Sequence, residues 1–97
     1  MSNMEVAKTI LSQIKALDSR AMWAWGAKDL IAMPEGLKFK TSGMCRWKGH
    51  VYVKYNRSTD LYNVEFFRIR KADVVMDRVA EDIFCDQLVD VIDRQVG

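Results

Sequence analysis

The sequence predicts a single α+β domain over residues 1–97, a small antiparallel sheet of three or four strands packed against an N-terminal and a C-terminal helix. Three observations carry this. Apolar residues recur at helical spacing near the start of the chain and again near its end. Between them, residues 50–55 and 61–70 alternate with the period of two that belongs to strands. Two helices on one face of such a sheet make a two-layer α+β sandwich.

The first helix starts near Ser2 or Asn3 and runs to about Leu17. Val6, Ile10, Ile14 and Leu17 form its apolar stripe, Lys8, Gln13 and Lys15 its wet side, and Glu5 a favourable charge in the first turn. Residues 21–29 read as a short second helix or a tight connection broken at Gly26. Leu30–Met33 and Leu37–Thr41 flank Pro34-Glu35-Gly36, and they read as two antiparallel strands. There Pro presets φ and Gly accepts a positive one.

Ser42 to Gly49 is a polar loop. In the next strand Val51, Val53 and Tyr55 share one face, and His50, Tyr52 and Lys54 the other. In Leu61–Arg70, Leu61, Phe67 and Ile69 lie on one side and Tyr62, Val64 and Phe66 on the other. Large apolar groups on both sides require that both be covered, or that one side belong to a partner chain. Val79, Ile83, Phe84, Leu88, Val91 and Ile92 predict a last helix from about Asp77 to Gln95.

Hydrophobic residues make up 49% and charged residues 29%, which excludes a disordered chain. No apolar run approaches the roughly 20 residues that span a bilayer. The start, Met1-Ser2-Asn3-Met4-Glu5, lacks the basic and apolar segments of a secretory leader, so a cytoplasmic protein with no membrane partner is expected. Cys45 and Cys85 fit that address as reduced thiols, Cys85 on the face of the last helix. With His50 they fall short of the four ligands of a structural zinc. Asn56-Arg57-Ser58 matches the glycosylation pattern only by chance in such a compartment.

Chemistry-bearing residues are sparse. His50 reads as a half-exposed sheet residue, and Cys45, beside Arg46 and near Lys48 and His50, as a loop thiol without an orienting partner. The glycines at 26, 36, 43, 49 and 97 form no phosphate loop. Asp82, Asp86, Asp90 and Asp93 read as one solvated acidic row on the last helix rather than a magnesium site. The expectation is a protein that is not an enzyme and uses no cofactor, metal or catalytic residue.

Charge is more informative than any motif. Residues 36–71 carry nine Lys or Arg against Asp60 and Glu65, a net of +7, whereas residues 72–97 carry a net of −5. The overall +2 therefore conceals a polarised molecule. Arg46, Trp47, Lys48, Tyr52, Lys54 and Arg57 combine cations with aromatic rings, the chemistry of single-stranded nucleic-acid binding on a sheet. Tyr62, Val64 and Phe66 are the candidate protein interface, for an unknown partner or a second copy of the chain. Met22, Trp23 and Trp25 read first as core anchors.

Trp25-Gly-Ala-Lys28, Leu37-x-Phe39, Val51-x-Val53, the run from Asp60 to Arg70, and Asp86-Gln-Leu88 occur in that order. In this the chain resembles a family of short uncharacterised proteins of bacteriophages, prophages and bacterial mobile elements. The similarity covers roughly Ile10 to Leu88, and Asp-Leu-Tyr…Glu-Phe…Arg-Ile-Arg is its most specific part. The chain departs at Trp25, where the family carries a small polar residue, and at the tail, where relatives continue past Gly97. The resemblance implies a phage origin and a similar α+β fold, and no activity. The expected role is a non-enzymatic accessory protein acting through protein contacts, self-association included. The alternative is single-stranded nucleic-acid binding through the basic sheet.

Overall fold

Helix α1 spans Asn3–Leu17, and its stripe behaves as its spacing demands: Val6, Ile10 and Ile14 are buried, while Leu17 at the last turn stays exposed. The computed structural model describes residues 3–41 and 47–96. A four-residue helix α2, Ala21–Ala24, follows, and Gly26 ends it at φ 64°, a left-handed conformation that costs a glycine nothing. Strands β1 (Lys28–Met33), β2 (Gly36–Lys40), β3 (His50–Asn56), β4 (Leu61–Arg70) and β5 (Asp73–Ile83) form one antiparallel sheet in sequential order. A 3₁₀ turn at Cys85–Gln87 leads into helix α3, Leu88–Val96.

The architecture is therefore α+β as predicted, but with five strands rather than three or four. The difference lies in the predicted helix at 77–95. Its first part is β5, and only Leu88–Val96 is α-helical. Gln87 marks the change of direction, its side-chain Oε1 accepting from the Phe84 N–H at 3.3 Å. The acidic row dissolves with the helix: Asp82 ends up in a strand, Asp86 in the 3₁₀ turn, and Asp90 and Asp93 in α3. Cys85 is exposed in the 3₁₀ turn.

Both long helices lie on one face of the sheet. Val6, Ile10 and Ile14 of α1 and Leu88, Ile92 and Val96 of α3 form one cluster with Leu37, Phe39, Val51, Val53, Val64 and Phe66. Burial of each such side chain is worth about 1.5–3 kcal/mol. Trp25 is fully buried here, stacked on Phe39 with centroids 6.3 Å apart, and its indole N–H donates to Asp93 Oδ1 at 3.2 Å. Trp23, by contrast, is 83% exposed, so only one of the two tryptophans anchors the core.

The β1–β2 connection at Pro34-Glu35 is as predicted, but Gly36 serves another purpose than turn freedom. It opens β2 opposite Lys54, and a Cβ there would lie 1.8 Å from the Val53 carbonyl oxygen. Only glycine permits that approach.

Candidate functional site: the uncovered face of the sheet

The strand register sorts the side chains of the sheet into two sets. Val51, Val53, Val64 and Phe66 point under the helices. Their neighbours point the other way, where no element of the described chain lies. Three cross-strand rows can be read from the pairing. One runs Ile31, Lys38, Tyr52, Glu65, Val79; the next Lys40, His50, Phe67, Met76; the third Ile69 and Val74. Lys54 and Asn63 form a further pair at the opposite end from Ile69 and Val74.

The β4–β5 side of this open face is apolar. Ile31, Ile69, Val74, Met76 and Val79 are all exposed, at 46–61%. Grouped exposed apolar side chains on a small domain mark a contact surface more often than scattered single ones do. At its centre Phe67 is only 8% exposed although no helix covers it. His50 stacks on its ring at 5.0 Å and 7° between planes, and the Lys38 ammonium lies 5.8 Å from its centroid.

Charge divides the face by strand. Lys38, Lys40 and Lys54 stand on β2 and β3, with Glu65 on β4 held to Lys54 at 2.6 Å. Glu81 follows the inward-facing Ala80 on β5 and so, by alternation, belongs to the open side. Burial, with Lys38 and Lys40 nearby, lowers the pKa of His50 and favours neutral imidazole. Its Nδ1 is buried without a hydrogen-bond partner.

The residues predicted as sites are not gathered together. Tyr62, Val64 and Phe66, expected at an interface, are buried beneath the helices; of the two apolar sides of β4, the one chosen is the core side. The Tyr62 hydroxyl donates to Gln13 Oε1 of α1, and burial raises its pKa. Trp47 also turns to the helix side. It meets Phe66 edge-on at 5.9 Å, and its indole N–H donates to Asp77 at 2.8 Å. Asp77 in turn takes two hydrogen bonds from Arg68, and these contacts hold its carboxyl below the usual carboxylate range.

Tyr52 and Lys54 do share the open face, with the Lys54 ammonium 4.9 Å from the tyrosine centroid. Arg57 is in the exposed β3–β4 turn, and Lys48 borders a cleft with Lys28, Lys40 and His50 at one end of the sheet. Arg46 and Cys45 lie outside the described residues. Among the described residues, no group of three or more His, Cys, Asp or Glu is placed to hold a metal ion. No described helix is long and apolar enough to cross a membrane.

The residues that sequence reasoning missed are those of β5. Val79 falls within the predicted last helix, and Val74 and Met76 lie in a stretch given no element, so the β5 part of the open face was not seen. Its signal, β-branched Val74, Val75 and Val79 after a charged turn, is present in the sequence but weak. Comparison with known protein families, with curated proteins and with solved structures gave no match.

Proposed function

We propose that this chain is a small non-enzymatic binding protein that acts through the uncovered face of its sheet, by contact with protein. The observation that carries the reading is the group Ile69, Val74, Met76 and Val79, exposed together on β4 and β5 of a face that no element of the described chain covers. A sheet that hides one side under helices and leaves an apolar second side in water retains a driving force for association. The resemblance to phage and mobile-element proteins supports a role as a phage accessory factor within the bacterial cytoplasm.

Site-specific photo-crosslinking tests this reading. A photoreactive residue in place of Met76 is expected to form protein adducts in the cells that carry the gene, and one in place of Arg57 none. Equal yields from both positions would refute it.

A second reading, single-stranded nucleic acid, draws support from Lys38, Lys40, Lys54 and Tyr52 sharing the face. It requires affinity for a labelled oligonucleotide that falls steeply with salt, because each neutralised phosphate releases counterions. Two features favour protein over nucleic acid. Lys54 is already paired with Glu65, and Trp47, the best stacking ring of the predicted set, is engaged on the helix side.

A further inference from the structure

We infer that the occupant of the open face is a second copy of this chain, related by a two-fold axis running along β4. The inference rests on the reading just given and names the partner of that same surface. Its basis is charge and apolar complementarity across the strands. A two-fold axis parallel to β4 lays β4 on β4 and places β3 of each copy over β5 of the other.

The register then dictates what meets. His50 shares its row with Met76, and Tyr52 shares its row with Val79. Lys54 pairs with Asn63, whose side-chain carbonyl accepts from the N–H of Asp82, so Lys54 stands level with Glu81 and Asp82. In the paired copies each β3 residue therefore faces a complement on the other chain's β5: imidazole over thioether, phenol over valine, ammonium over carboxylate. Along the axis Ile69, Phe67 and Glu65 each meet their own counterparts, and the Lys54 salt bridge that each Glu65 already carries offsets the like charge between the two carboxylates.

The other in-plane axis, perpendicular to the strands, stacks each strand on itself. With the axis between their rows, it would set Lys38 of each copy against Lys40 of the other, like charges in a desolvated interface. Only the axis along β4 brings Lys54 of β3 over Glu81 of β5, so the charge arrangement of the face favours that symmetry.

Aligned sandwiches keep their strands within about 30° and their sheets about 10 Å apart, which suits side chains of these sizes. Three strands overlapping three give a flat footprint of roughly 400 Å² per copy. The total of about 800 Å² is below the range of stable specific interfaces and belongs to weak, reversible ones, so a dissociation constant of about 10–100 μM is expected.

Sedimentation velocity from about 1 to 500 μM tests the inference. The expected result is a reversible shift from an 11.2 kDa monomer to a dimer. Met76→Glu is expected to weaken association at least tenfold while circular dichroism stays native, because Met76 is exposed in the monomer. Glu81→Lys is expected to weaken it several-fold, and Glu81→Lys with Lys54→Glu to restore most of the loss. A chain that stays monomeric to 500 μM, or a dimer indifferent to all of these changes, overturns the inference. If the monomer persists while Met76 crosslinks to a different protein in cells, the second copy is wrong and the binding reading stands. If it persists and a single-stranded oligonucleotide binds in a salt-sensitive way at Lys54, both are wrong.

Discussion

The two faces of this sheet are built from the same strands, yet their chemistry differs in a way that separates stability from association. Under the helices lie Val51, Val53, Val64 and Phe66, all fully buried and closely packed. On the open side lie Ile69, Val74, Met76 and Val79, equally apolar and about half exposed. Apolar character alone therefore does not mark the core. What separates the sets is the presence of α1 and α3, whose stripes saturate one side and leave nothing for the other.

The contrast is sharpest in the pair Phe66→Ala and Ile69→Ala. The first is expected to cost about 3–5 kcal/mol in urea unfolding, the second about 0.5 kcal/mol or less in the monomer. Comparable losses at both positions would mean that the open face is covered within the single chain. Gly36→Ala, which drives a methyl into the Val53 carbonyl, is expected to cost about 3 kcal/mol, since a backbone atom cannot move aside as a side chain can. Phe67→Ala lies between the extremes. Its ring is stacked by His50 and flanked by Lys38 and Met76 rather than covered by a helix, and a loss of about 2 kcal/mol is expected from a differential thermal scan.

The smallest effect concerns pH. The His50 pKa is lowered in the folded chain, so the unfolded chain binds a proton more readily. Stability is then complete above the ordinary histidine range, near 6.5, and is lost as pH falls through the lower folded value. His50→Gln is expected to flatten the melting temperature between pH 7.5 and 5.5, and an unchanged slope would assign it to other groups.

Much of this fold was legible in the residues. The stripe of α1, the alternation of β3 and the full extent of β4 follow from spacing alone, and both apolar sides of β4 were visible. The failure at 77–95 has a physical cause in β5. The register shifts between Phe66 and Phe67, so Met76 and Val79, three apart, sit on the same open face. It shifts again between Tyr62 and Val64, so Ala80 and Ile83, also three apart, share the inner one. Two β-bulges thus convert a strand's period of two into the spacing of three that belongs to helices.

The turn before β5 was equally silent. Lys71 and Ala72 both take positive φ, 47° and 69°, in a two-residue hairpin loop where Asn-Gly is the usual signal. The charge polarity was legible too. Its geometric meaning, basic β2–β3 beside acidic β5 in one sheet, required the strand order.

Those same two bulges have a consequence for how the protein avoids becoming a fibre. β5 is an edge of eleven residues with valines along it, and a flat edge of that length is a template for endless strand addition. Each bulge bends the edge and interrupts its row of free backbone donors and acceptors, and Asp73, Asp77, Glu81 and Asp82 set like charges against any copy that approached edge to edge. Pairing along the β5 edge is thereby disfavoured, and the face-to-face pairing proposed above closes on itself at two chains.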